Sequence, residues 1–253
     1  MMRYHVRMLA LFKSHYSIGK SILTLDHPED VKEGGSESIF SITKEKQVIL
    51  VEDSLIGFLQ AQKVAESLGI HLIFGLRISA SHELKEANDK SKCAHKIIIF
   101  AKNDQGCKML NSIYSKAFCE SGGVISFNSL KELWDDECLS LSIPFYDSFI
   151  FMNSLHFCSC IPDFSFTKPH FFIEENLLPF DLDIKSKVLS YCETEGYDCD
   201  LSKTIYYHKR SDFSAYQTYK CICSKKFKQR TLDVPNFDHL ASPEFCYESY
   251  LEN

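Results

Sequence analysis

The sequence predicts an α/β domain with a mainly parallel sheet, closed or nearly so. Three observations carry this. Gln47 to Arg77 (QVILVEDSLIGFLQAQKVAESLGIHLIFGLR) reads as strand, loop, helix, turn and strand. Further short apolar runs, Lys96 to Ala101 (KIIIFA) and His170 to Ile173 (HFFI), have the length and bulk of buried strands. Between the runs lie stretches with helical apolar spacing and capping residues, and strand–helix alternation of this kind builds parallel sheets.

In chain order, Arg7 to Phe12 reads as a first strand, followed by turn formers Ser17 and Gly19 and an apolar set of Ile22, Leu23 and Leu25. Asp26 to Ser38, with Pro28 and Gly34-Gly35, reads as an exposed loop. Ile39 to Lys46 reads as a short element. In the central unit, Val48 to Val51 is one strand, and Phe58, Ala61, Ala65 and Leu68 recur at helical spacing. Glu52, Asp53 and Ser54 offer N-caps, and Gly69 can take the left-handed conformation that ends a helix. Its two strands are expected to pair in parallel through a right-handed crossover. Chemistry in such sheets sits at the carboxyl ends of strands, here Val51 to Asp53 and Gly75 to Arg77. Further on, Ile78 to Ser91 reads as a strand end and a polar loop. Asn103-Asp104 caps a helix with Met109, Leu110, Ile113 and Tyr114 on its apolar face, broken by Gly122-Gly123. Ser129 opens a helix through Trp134, Ser148 to Met152 reads as a strand and Ile184 to Glu195 as a helix. Thr204 to Tyr207 reads as a late strand, and Ser211 to Cys223 as a late helix. Residues 1–224 thus form one domain, and 225–253 a C-terminal tail with the character of a docking segment.

The 253 residues carry a formal charge of −6, which argues against coating nucleic acid by bulk charge. No apolar run approaches the roughly 20 residues of a membrane helix, and the N-terminus lacks a secretory pattern, so a cytoplasmic protein is expected. The 11 cysteines are scattered. Neither Cys158-Ser-Cys160 nor Cys221-Ile-Cys223 has zinc-knuckle spacing, so reduced, mostly buried thiols are expected. The ten histidines form no HxH or HExxH. Strand positions suit His71 and His95, and surface positions His5, His15 and His208. Gly19-Lys20-Ser21 lacks the earlier glycine of a phosphate loop.

Three segments, FKSHYSIGKSIL, QVILVEDSLIGFLQAQKVAESLGIHLIFGLRI and HKIIIFAKNDQGCKMLNSIYSKAF, resemble in order and spacing the PHP domain at the front of bacterial DNA polymerase III alpha subunits, the C-family replicative polymerases. TIYYHKRSDFSAYQTYKCI falls where that family has its last strand and following helix. The resemblance runs from about Val6 to Cys223, and FAKNDQGCKMLN is its most specific piece. It implies a distorted (β/α)7 barrel of PHP type.

Active PHP domains hold a metal cluster at the strand ends, which activates water for phosphoester hydrolysis. Carried onto this sequence, the first histidine-x-histidine falls on Leu11 and Lys13, and the aspartate–histidine on Val51 and Glu52. The next glutamate falls on Arg77, the histidine opening KIIIFAKN on Lys96 with His95 one place away, and the late aspartate-x-histidine on Thr204 and Tyr206. Leucine and valine do not ligate such cations, and lysine and arginine repel them. The resemblance therefore implies no bound metal, no cofactor and no PHP catalysis. The polymerase chemistry belongs to a palm domain that follows in the family and is not expected here.

The leading expectation is a catalytically degenerate PHP-like domain serving as a structural or interaction subunit of a C-family replicative polymerase or another replisome protein. Contact with nucleic acid is then weak or indirect, and no membrane is involved. One alternative is a metal-dependent phosphoesterase or exonuclease with a rearranged set such as Glu52, Asp53, His95 and residues from Phe151 to Cys160. Another is a mimic that binds and modulates a replication protein. Lys13, Arg77 and Lys96 are candidates for an anion pocket or, alternatively, for ion pairs with nearby acids. Lys225, Lys226, Lys228 and Arg230 form a basic cluster, and EFCYESYLE reads either as a docking segment or as a tail packed on its own barrel.

Overall fold

A computed structural model of the chain describes residues 8–81, 94–156, 158–223 and 242–252. The chain divides into two compact units. The first comprises Met1–Phe74, Glu174–Asp181 and Leu201–Asn253, and the second Gly75–Ile173 and Leu182–Asp200.

In the first unit, β1 (Leu9–Phe12) lies between β2 (Gln47–Glu52) and β8 (Asp198–Ile205), parallel to both. Leu11 faces Ile49 on one side and Thr204 on the other. Phe12, Val48, Leu50 and Ile205 point into a core closed by α1 (Ile39–Ile42) and α2 (Phe58–Leu68), where Ala61 and Ala65 let α2 approach closely. Gly69 ends α2 at φ 65°, as its position in the sequence predicts. The expected caps are not used. Gly57 is the N-cap and offers no side chain, because Glu52 and Asp53 are bonded elsewhere. The C-terminal segment joins this unit. Tyr207 and Cys246 form a parallel bridge, Phe245 to Tyr247 are buried, and α8 (Tyr247–Leu251) follows.

In the second unit, β4 (His95–Ala101) runs antiparallel to both its neighbours, β3 (His71–Ser81) and β6 (Leu139–Ile143). β5 (Val124–Ser126) pairs in parallel with β3, and β7 (His170–Ile173) with β6. This corrects the expectation of a mainly parallel sheet at β4. A parallel neighbour needs a crossover, usually helical, and the polar stretch after Ser81 has no helical apolar face. Gly106 belongs to α3 (Asp104–Ser115), which Asn103 caps through its side chain. A Cβ on Gly106 would collide with the Cys138 carbonyl oxygen, so the glycine in FAKNDQGCKMLN serves close helix packing.

Over the whole chain the pairing order is β2-β1-β8-β7-β6-β4-β3-β5, and β2 also pairs with β3. Seven strands therefore form a closed circuit of mixed sense, the pairing of a barrel, with β5 outside it. Ser148 to Met152 is not a strand: Ser148 accepts from the Phe151 N–H and opens α5 (Phe149–Leu155). β5 and β6 have no counterpart in the sequence expectation, and α4 (Phe127–Glu132) starts two residues before Ser129, which instead donates its amide to the cap Ser126. Two further helices, α6 (Asp181–Glu195) and α7 (Phe213–Cys223), sit where the sequence places them, within two to three residues. The ten described cysteines are free thiols, but only Cys138, Cys160, Cys192 and Cys246 are buried. His5, Arg7 and the basic cluster at 225–230 lie outside the described residues.

Candidate functional site

In the first unit the carboxyl ends of β1, β2 and β8 carry most of the positions that the PHP resemblance singles out. Leu11 and Thr204 share a face by register. The ladder runs one residue further, since the Lys13 N–H donates to the Ile205 carbonyl at 3.1 Å. Alternation puts Lys13, Val51 and Tyr206 on the face of Leu11, and Glu52 on the opposite face with Val48 and Leu50.

Lys13 is only 3% exposed and donates from Nζ to Asp53 Oδ1 at 2.8 Å. Its charge is thus met by the loop after β2. Glu52 is fully buried; one oxygen accepts from the Ser14 N–H at 2.7 Å and the other from the Ser17 hydroxyl. Ser17 Oγ in turn accepts from the Asp53 N–H at 3.0 Å, so the loops after β1 and β2 are laced together. Burial pushes the Glu52 carboxyl above the usual carboxylate range, and the nearby Lys13 charge and these donors only partly offset it. Tyr206 stacks between Tyr216 and Phe245, with centroids 5.5 Å away in each case.

Sequence reasoning missed another buried acid of this unit. Glu174, 3% exposed, accepts from the Thr204 hydroxyl at 2.6 Å, the Thr204 N–H at 3.0 Å and Asn176 Nδ2 at 3.1 Å. Beside it Lys203, 2% exposed, donates to the Glu175 carbonyl at 2.9 Å. Burial drives both toward neutrality, Glu174 upward and Lys203 downward, against their mutual attraction. The signal was present: Glu174 stands directly after the apolar run HFFI, at a strand's carboxyl end. A third arrangement pins the C-terminal segment. Arg210 donates to both oxygens of Glu244, each at 2.9 Å, and to Glu252 at 2.9 and 2.6 Å. These hydrogen bonds hold the Glu244 carboxyl down at about 2.

The second unit holds the other two cations. Ser79 faces Lys96 and Arg77 faces Ile98, so Arg77 and Lys96 share one face of the β3–β4 pair. Arg77 donates to Asp147 Oδ2 at 2.6 Å, the Asp147 carbonyl accepts the Lys96 N–H at 2.7 Å, and Lys96 Nζ donates to Ser79 Oγ at 2.8 Å. Asp147 sits at φ 61°, an uncommon conformation for a non-glycine residue, where the aspartate side chain is among the better tolerated. Lys13 and Arg77 are thus both ion-paired within their own units. His95 is buried on the opposite face from Lys96, its Nδ1 4.0 Å from Cys160 Sγ and its ring near Phe127 and Phe149. His71 is exposed, whereas His208 is half-buried with Nδ1 2.7 Å from Glu37.

Among the described residues no group of three or more His, Cys, Asp or Glu side chains could hold a metal ion, and no helix is long and apolar enough to cross a membrane. Chemically, the arrangement is one of buried acceptors saturated by amide, amide-side-chain and hydroxyl donors. No family model matches the chain, and no curated protein matches it.

Proposed function

We propose that the chain is a catalytically degenerate PHP-like domain, cytoplasmic, that acts as a structural or interaction subunit of a C-family replicative DNA polymerase. The observation that carries this reading is the state of the strand ends in the first unit. Where the resemblance calls for ligands stand Leu11, Lys13, Val51, Thr204 and Tyr206, and the one carboxylate in the set, Glu52, has both oxygens occupied by Ser14 and Ser17. Such groups tie loops together and leave no donor set for a hard cation. Closure of the strand circuit is compatible with the barrel that the resemblance implies. The test is pull-down of a tagged chain from the cells that encode it, with a replicative polymerase in stoichiometric yield as the expected result. Recovery without any polymerase or replisome protein overturns it.

A second reading, a metal-dependent phosphoesterase with a rearranged site, draws on the approach of His95 to Cys160, two of the residue types and stretches it requires. Metal content and phosphoesterase turnover, measured with Mn²⁺ and Zn²⁺ added back, separate the two. Stoichiometric metal and turnover that disappear in His95→Ala establish the enzyme, and neither signal leaves the interaction reading in place.

A further inference from the structure

The last turn of α6 and the first residues of β8, both in the second unit, bring two thiols together. Gly196 ends the helix at φ 71°, and the Tyr197 N–H donates to the Cys192 carbonyl at 3.0 Å. This bond is the outer one of a Schellman turn, which folds the chain back along its helix. The side-chain contact that accompanies such a turn is present, because the Tyr197 ring lies 6.1 Å from that of Tyr191, the residue before Cys192. Alternation puts Cys199 on the side of Tyr197, and Asp198 between them is exposed. Cys199 therefore faces α6, where Cys192 is only 3% exposed, and the Cys192 thiol hydrogen-bonds to Cys199.

The surroundings give the two thiols different roles. Cys199 is half-buried and Cys192 is buried, so a reagent in solution meets Cys199 first. Burial pushes the Cys192 thiol up to about 12. Burial and the nearby Asp200 also raise Cys199, but the hydrogen bond from Cys192 pulls it back. Cys199 is thus the readier thiolate, and Cys192 the resolving thiol beside it. Both are protonated at neutral pH, so attack by Cys199 is slow, whereas the second step is intramolecular across six intervening residues.

We infer that Cys192 and Cys199 are an oxidative modification site, a dithiol that small-molecule disulfides convert into an intrachain disulfide fastening α6 to β8. Cys199, its proton released to solvent, attacks one sulfur of the reagent and expels a thiolate. Cys192 then loses its proton, attacks the Cys199 sulfur and expels the second thiolate. Two protein thiols are oxidised and one disulfide is reduced to two thiols. The protein sulfurs move from hydrogen-bond contact to a bond of about 2.05 Å. The inference is independent of the polymerase reading. In the test, the full chain is incubated with oxidised glutathione, alkylated and digested with trypsin, which leaves both cysteines in the peptide between Lys187 and Lys203. The expected peptide has lost two hydrogens, resists alkylation and regains both thiols with dithiothreitol, while exposed Cys119 carries a glutathione adduct. In Cys192→Ser the adduct should persist on Cys199, and in Cys199→Ser adduct formation at Cys192 should be slower by about ten-fold or more. The parent chain decides by itself where a variant fails to fold. Both thiols surviving under conditions that saturate Cys119, a lasting adduct on Cys199 of the parent chain, or pairing of either residue with another cysteine each overturns the inference.

Discussion

The strand-end acids Glu52 and Glu174 and the clamp acid Glu244 belong to the same unit, yet their surroundings push them in opposite directions. Glu52 and Glu174 accept from amides, hydroxyls and an asparagine, and burial outweighs these donors, so both carboxyls are raised. Glu244 faces a guanidinium in a two-pronged arrangement, and its carboxyl falls to about 2. Neutral donors satisfy a buried carboxylate without repaying the cost of keeping it charged, and a full opposite charge in fork geometry does repay it. The first arrangement orders loops, and the second fastens a chain segment.

The largest expected effect comes from Glu174→Ala. It strips an acceptor from the Thr204 hydroxyl and amide and from Asn176, and it removes the larger of the two carboxyl attractions on buried Lys203, which together should cost about 3–5 kcal/mol in urea unfolding. A loss under about 1 kcal/mol would mean that Lys203 is neutral in the folded protein and that the site is less coupled than its geometry indicates. Ser17→Ala comes next, at about 1–3 kcal/mol, because one hydroxyl serves both Glu52 and the Asp53 amide.

The pH dependence separates the two kinds of acid. The folded value of Glu244 lies below the ordinary value of 4.5, so its contribution is complete above that value and is lost as pH falls toward about 2. Arg210→Met should flatten that acid-side loss, and an unchanged slope would remove Arg210 from the explanation. Glu52 and Glu174 have folded values above their unfolded ones. Their contribution is complete below the ordinary carboxylate range and declines as pH rises through the raised values. Glu52→Gln should remove its share of that decline, seen as a smaller drop in unfolding midpoint between acidic and neutral pH. The smallest effect belongs to Leu59→Ser. At 70% exposure the side chain contributes within about 0.5 kcal/mol, so a larger destabilisation would show that Leu59 packs against its own unit more than its exposure indicates.

What was legible in the sequence was local. The β2–α2–β3 stretch declares itself through apolar spacing and through Gly69, and Asn103 declares the start of α3, because a cap and a helical stripe are made by residues near one another in the chain. Ser148 to Met152 misled because FIFM is apolar throughout and too short to show a period, and Ser148 was the informative residue. The candidate site was half legible. The places of Lys13 after β1 and of Lys96 at the start of β4 followed from the sequence, whereas Arg77, expected at a strand's carboxyl end, lies inside β3, which runs on to Ser81. The partners of Lys13 and Arg77, Asp53 and Asp147, lie 40 and 70 residues away in sequence. Glu174 went unremarked because an acid after an apolar run looks like an ordinary exposed loop residue until Thr204, 30 residues on, closes over it.

By itself the sequence determined the strand–helix alternation and the boundaries that Asn103 and Gly69 impose. Tertiary structure alone decided that β4 runs against both neighbours, that Glu52 turns to the core face while Lys13 turns to the other, and that Phe245 and Tyr247 fill their own unit's core. The physical reason is that propensity and periodicity act over a few residues. Strand sense, burial of charge and the choice of hydrogen-bond partner are set by contacts between segments distant in sequence, whose energies exist only once the chain has folded.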